Sequence, residues 1–288
     1  MSAHPGAVQP ASRASRAKDL SFKALLLVCL GTSIVLLGVL LYDVAADGFG
    51  VLSFDFLTSF ASSSSKIAGV EAALTGTVWL MLVCAVFIVP VGVATAIYLE
   101  EYADNRRWYN RAIEVNIQNL AAVPSIVYGI LGLAFLVRGP LALGNVVLAG
   151  GLTLGLLVLP VVIIAGREAI RAVPPSIREG SMALGATQWQ TIWRQVLPAA
   201  IPGIATGVIL ALSRAIGETA PLIVVGAATF VAFNPTGLDS SFTALPIQIF
   251  DWISRPESDV NNFKALAAGG ILVLMILLLA MNAVAIWL

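Results

Sequence analysis

The chain has 288 residues, 59% of them hydrophobic and 11% charged, and its formal net charge is zero. Soluble domains carry roughly 25% charged residues, so this composition specifies an integral membrane protein. Zero net charge gives no basis for a nucleic-acid partner. The single histidine, His4, lies in a polar N-terminal stretch, and the two cysteines, Cys29 and Cys84, fall inside apolar runs. That inventory excludes a His-based catalytic set and a zinc cluster, and it offers no disulfide framework.

In chain order, residues 1–21 are rich in Ala, Ser, Pro and Arg and are expected to be a disordered tail. The apolar run at 22–42 is longer than a signal-peptide core, so it is read as a retained first span. A helix needs ~20 apolar residues to cross a bilayer. Further runs of that kind stand at 71–99, 114–137, 145–165, 200–231 and 264–288. The expected fold is all-α: a polytopic membrane bundle of about six transmembrane helices, with residues 22–288 forming one transmembrane domain. Prolines near the middle of four spans (Pro90, Pro124, Pro160, Pro221) remove helix donors; they are read either as the ordinary enrichment of proline in membrane helices or as the mark of bent helices that can rock.

Orientation follows the placement of Lys and Arg. With the N-terminus in the cytoplasm, the inner segments hold Arg13, Arg16, Lys18, Lys23, Arg106, Arg107, Arg111, Arg167, Arg171, Arg178 and Arg194. The outer segments keep only Lys66, Arg138, Arg255 and Lys264, and they collect Asp43, Asp47, Asp55, Asp239, Asp251, Glu257 and Asp259. In the first inner loop, Glu100, Glu101 and Asp104 are read as a solvated segment facing Arg106, Arg107 and Arg111. Asn116, Gln118 and Asn119, and deeper Ser125 and Tyr128, either line a path or bond between helices, with interhelical bonding favoured. Glu71 is read as interfacial.

The fifth span carries a charged step, Ser213-Arg214-Ala215-Ile216-Gly217-Glu218-Thr219-Ala220-Pro221. Arg214 and Glu218 are four residues apart and share one face of a helix. An intramembrane arginine should face the bundle rather than lipid. Pro221 is expected to crowd the carbonyl of Gly217 and expose it. Two readings stay open: an ion pair that fixes helix packing, or a translocation element made of Ser213, Arg214, Glu218 and Thr219. The planar guanidinium suits an oxyanion.

Between the fourth and fifth spans lies the polar segment 167–198. Val173-Pro174-Pro175 stops the preceding helix, Ser176 or a residue near it caps a short new one, and Gly185 ends it. Ile177, Gly180, Ala183 and Leu184 give that helix a small apolar face. A second helix through Trp189 and Trp193 leads to Leu197-Pro198. The short helix can fit a groove on a partner or lie on the membrane surface.

Glu179, Gly185, Leu197 and Pro198 stand at the spacing of the EAA loop of type I ABC-transporter permeases, which the segment resembles. The chain departs from that pattern at Gly180 and Ser181, which stay small, and at Gln195, where isoleucine is usual. Residues 122–133, 167–187 and 213–222 resemble the PstA-like permeases of phosphate-specific ABC importers, and the resemblance covers about residues 68–284. It implies a coupling helix at about 176–188, with Glu179, Gly180, Ser181, Ala183, Leu184, Gly185 and Ala186 meeting an ATPase. It also implies a PstC-like sister permease, two copies of a cytoplasmic ATP-binding subunit and an external phosphate-binding protein, in a bacterial plasma membrane.

The chain has no G-x-x-x-x-G-K-[ST] phosphate loop. ATP is therefore expected to be used by the partner subunit, with no cofactor and no enzymatic site in this chain. The alternatives are a PstC-like sister subunit, a permease for another oxyanion, or a self-contained channel or secondary carrier. Inverted repeats would favour the last, and none is visible.

Overall fold

The computed structural model describes residues 13–104, 106–256 and 262–287. Every regular element among them is helical. The chain divides into two units, 1–46 and 47–288. The first consists of most of helix α1 (Arg13–Gly48), a 36-residue helix that is apolar all round from Lys18 onward. The helix starts at Arg13, inside the stretch 1–21 expected to be a tail. Its Ala, Arg, Lys and Leu are good helix formers, and extending a formed helix costs little. The rest of the expected tail, with His4, lies outside the described residues.

The second unit follows in order. After α2 (Phe54–Thr58), α3 (Glu71–Ile97) ends in a π-turn, Tyr98–Tyr102. Then come α4 (Trp108–Ala121) and α5 (Ser125–Leu131), which runs into a second π-turn, Gly132–Val137. α6 (Val147–Arg171) is followed by the short α7 (Pro175–Ala183). Next, α8 (Gln188–Thr191) continues through a π-turn, Ile192–Val196, into α9 (Leu197–Ile216). The last helices are α10 (Ala220–Val225), α11 (Leu245–Ser254) and α12 (Phe263–Trp287). Among the described residues, five helices are long and apolar enough to cross a membrane, or six if α4 and α5 together count as one broken span.

Small residues set the packing. A Cβ on Gly151 would meet Val83, one on Gly155 would meet Phe87, and one on Gly166 would meet Ala96. Contacts that climb together along both helices mean that α3 and α6 run parallel. Gly203 and Gly207 meet Ala169 and Ala165, so α9 runs antiparallel to α6. Missing side chains let backbones approach closely, which is how helices associate without a hydrophobic drive. Two parallel helices also require the chain to cross between them, and α4 with α5 makes that crossing.

The third and fifth spans differ from expectation. The run 114–137 is two helices bent by 109° at Ala122-Val123-Pro124. The residue before a proline avoids the helical region, which ends α4 there. The run 200–231 is also broken: α9 stops at Ile216, and Gly217 caps it. Pro221 sits in the first turn of α10, where no amide donor is needed, so it does not crowd the carbonyl of Gly217 within a continuous helix. Pro90 and Pro160 do lie inside helices, and so does Pro202.

From Gly226 (φ +90°) to Ala244 the chain is not helical. The carbonyls of Ser240 and Leu238 accept from the amides of Val147 and Leu148, satisfying free donors at the start of α6. The amide of Leu245 donates to Thr77 Oγ1 at 2.9 Å, which ties α11 to α3. α11 buries Leu245, Ile247, Gln248 and Trp252, whereas the sequence reading placed this stretch in an outer loop. Asp251, assigned to the acidic outer face, pairs with Arg255 at 2.7 Å. Glu71 accepts from Asn234 Nδ2 at 2.7 Å.

Gly76 packs directly on the carbonyl oxygen of Thr243, with no room for a Cβ. The obstacle is backbone and cannot rotate away. Gly76→Ala is therefore expected to destabilise the protein by about 1–3 kcal/mol, the usual cost of overpacking. Gly180→Ala, where a Cβ meets nothing, should leave stability equal to or above wild type. Thermal unfolding of the purified proteins in detergent measures both.

Candidate functional site

One end of the bundle gathers the termini of α3, α6, α7 and α8. Arg167 is 8% exposed; its Nη1 donates to Glu114 Oε1 at 2.9 Å and its Nε to Glu100 Oε2 at 3.4 Å. Arg171 grips Glu100 with both ends of its fork, Nε to Oε1 and Nη2 to Oε2, each at 2.9 Å. Arg178 donates Nε and Nη2 to Glu101 Oε1 at 3.0 and 2.7 Å. It also donates to the carbonyls of Val173 and Ile170 at 2.7 and 2.8 Å. The Ile170 carbonyl lies in the last turn of α6 and that of Val173 just past it, where a cation is favourable.

Glu100 and Glu101 therefore do not face Arg106, Arg107 and Arg111 in a solvated loop. Only Asp104 behaves that way, lying 3.8 Å from Arg107. The physical reason is that the π-turn carries both glutamates to the level where α6 ends, and the bundle holds the arginines of α6 and α7 there. Sequence reasoning missed these pairs. The available signal was opposite charge, since two long apolar runs end in Glu100-Glu101 and in Arg167 and Arg171.

α7 begins at Pro175 with Pro174 as its cap residue, so Ser176 lies inside the helix rather than capping it. Gly185 (φ +89°) ends it in a Schellman motif: its amide donates to Met182 O and the amide of Ala186 to Ser181 O. The short helix thus ends before 188, and Thr187 and Gln190 form a capping box that starts α8. Trp189 and Trp193 stack at 5.6 Å. The π-turn that follows places the Leu197 amide on Ile192 O, just ahead of Pro198, which has no donor of its own.

No residue of α7 is buried. Glu179, Gly180, Ala183, Leu184 and Gly185 are exposed, and Ser181 and Ala186 are half-buried. Leu184 is 91% exposed, although an apolar side chain gains by leaving water. A hollow of about 430 Å³ opens beside it, lined by Ile177, Gly180, Ser181, Gln190 and Arg194 among others. Glu179 makes no ion pair among the described residues, in contrast to its neighbour Arg178.

The charged step lies at the break between α9 and α10. Arg214 Nε is 3.4 Å from Glu218 Oε1, and the arginine side chain is 46% exposed. The two groups pair as the four-residue spacing predicts, even though Glu218 lies past the helix end. Ser213 Oγ donates to Asn282 Oδ1 on α12 at 2.6 Å, a partner the sequence did not disclose. Thr219 is half-buried, and its carbonyl accepts from the amide of Ile223. A Cβ on Gly129 would sit 2.7 Å from Pro221 Cα, so the break after α9 is packed against α5, the second half of the other broken element. Tyr128 on α5 donates to Leu120 O at 2.9 Å, and Asn116 bonds back to Ala112 O within α4.

Membrane-length helices, a charged break after α9 and a short exposed helix at one end fit the membrane subunit of a transporter. Residues 88–288 match the family described as the binding-protein-dependent transport system inner membrane component. The chain belongs to this family and is a permease subunit of an ABC importer. It is 32% identical to the probable ABC transporter permease YqgI of Bacillus subtilis, over 88% of each chain. It is 37% identical to the phosphate transport system permease PstA of Mycobacterium leprae, over 76% of this chain and 72% of that one. Among solved structures, a chain of a bacterial alginate ABC transporter has the same fold, with a TM-score of 0.64 at 19% identity, covering 92% of this chain and 95% of that one.

Proposed function

We propose that this chain is a PstA-like subunit that carries inorganic phosphate through the plasma membrane of a bacterium. Relatives named as phosphate transport permeases support that substrate. The half-exposed fork of Arg214, held from one side by Glu218, supplies the complementary charge. Arg214 attracts the anion and Glu218 limits how tightly it is held, with Ser213 and Thr219 beside the path.

The end of the bundle bearing α7 faces the cytoplasm, as does the N-terminus, in keeping with the clustering of Lys and Arg. α7 docks on a separate ATPase through Glu179, Gly180, Ser181, Ala183, Leu184, Gly185 and Ala186. Two such ATPase subunits consume ATP, a PstC-like permease completes the path, and an external phosphate-binding protein delivers the substrate. This chain needs no cofactor and catalyses no reaction itself. The observation that carries the docking is a helix with no buried residue and a 91% exposed leucine at its end.

The test has two arms. Ala183→Cys in native membranes should cross-link to an ATP-binding subunit, and finding none would overturn the docking. Proteoliposomes of the assembled transporter with its binding protein should import radiolabelled phosphate on addition of ATP. Uptake of sulfate in place of phosphate would reassign the substrate.

A further inference from the structure

We propose that the Glu101–Arg178 ion pair is the rigid joint that delivers movement of α7 to α3 and α6, with both residues acting as positioning residues of the transport cycle. This rests on the reading of α7 as the ATPase-docking helix.

α7 has no buried residue to anchor it, so polar contacts must fix its position. Arg178 is the strongest of them. Its three nitrogens reach Glu101 on the π-turn of α3, the Ile170 carbonyl in the last turn of α6 and the Val173 carbonyl just past it. The pair is largely shielded, with the arginine side chain 20% and the glutamate 9% exposed, so solvent screens it little. A second bond, from Gln188 Nε2 to the carbonyl of Glu101 at 2.7 Å, brings the start of α8 to the same residue.

The two adjacent glutamates divide the work. Glu100 binds Arg167 and Arg171 and fastens α3 to α6. Glu101 binds the element that an outside partner would push. Because α3 and α6 are packed side by side through Gly151, Gly155 and Gly166, a force entering at Glu101 moves both. The connection from α7 into α9 runs through Gly185, where a left-handed residue makes a turn. The arginine fork serves a carboxylate and two carbonyls at once, a geometry that a lysine ammonium cannot copy.

The experiment measures phosphate imported per ATP hydrolysed in proteoliposomes of the complete transporter. Arg178→Ala should keep ATP hydrolysis while the import ratio falls by about tenfold or more, the scale of a lost charge-assisted hydrogen bond. Arg178→Lys should fall between the two. Glu101→Gln, which keeps the shape and the acceptor oxygen, tests the same joint should the alanine variant fail to assemble, and its ratio should also drop.

A Glu101→Cys, Arg178→Cys pair, made with Cys29→Ser and Cys84→Ala, should lose coupling and regain it when bridged by a short bis-maleimide. An unchanged ratio in Arg178→Ala or Glu101→Gln would overturn the proposal, as would a bridge that stops transport. Cross-linking of Ala183→Cys to the ATPase is scored in parallel. Its absence overturns the docking itself, whereas its presence with an unchanged ratio overturns the joint alone.

Discussion

Arg214→Gln is expected to lower phosphate uptake by about 10–100-fold, the range that follows from losing a hydrogen bond to a charged group. The neutral amide keeps much of the length and polarity of the side chain but loses the cation. Arg214 Nε faces Glu218 at 3.4 Å, and the side chain is 46% exposed, so the fold does not depend on it as a buried charge. Expression and thermal unfolding should therefore stay near wild type, which makes uptake the informative readout. Arg214→Lys should recover part of the activity, because the charge returns without the planar fork. Normal uptake by a well-folded Arg214→Gln protein would remove this residue from the path and leave the ion pair as a packing device.

Arg167→Met is expected to act on stability instead, by about 1–3 kcal/mol, the scale for leaving a hydrogen-bonding group without its partner. Arg167 is 8% exposed and stands between Glu100 and Glu114. Removing it leaves Glu114 without its 2.9 Å partner and Glu100 with Arg171 alone. The apolar stem of methionine keeps the volume, so the loss reports the charge rather than a cavity. Thermal unfolding in detergent should show a clear drop. Adding Glu114→Gln should recover part of it, since the orphaned charge is then gone; strictly additive losses would rule out the pairing.

Much of this architecture can be read from the residues. The long runs that hold α1, α3, α6, α9 and α12 stand out because lipid demands ~20 apolar residues and internal hydrogen bonds. The short α7 is equally legible: Pro174-Pro175 and Gly185 restrict the chain locally, and they bound the helix where the structure has it. Two parts were not legible. The runs 114–137 and 200–231 stay apolar on average in spite of Glu114, Arg214 and Glu218, so hydropathy joins α4 to α5 and carries α9 past its real end. The helix α11, ten residues long, is too short to register as a span, and its burial depends on α3 and α12 around it.

The charged step shows the same division at the level of single residues. The pairing of Arg214 with Glu218 was evident from a separation of four residues. Asn282, the partner of Ser213, stands 69 residues away and could not be found by spacing. The same holds for Arg178 with Glu101, 77 residues apart.

By itself the amino-acid order determined that the chain enters a membrane, roughly where its longest helices lie, and that a polar segment with defined stops separates two of them. Those properties depend on transfer from water to lipid and on backbone restrictions that act within a few residues. Only the tertiary structure decided which glutamate meets which arginine, where the apolar runs break, and that α7 is held by charge rather than by burial. Such choices depend on glycine-mediated contacts that set the helices side by side, and on ionic groups brought together only after that packing is in place.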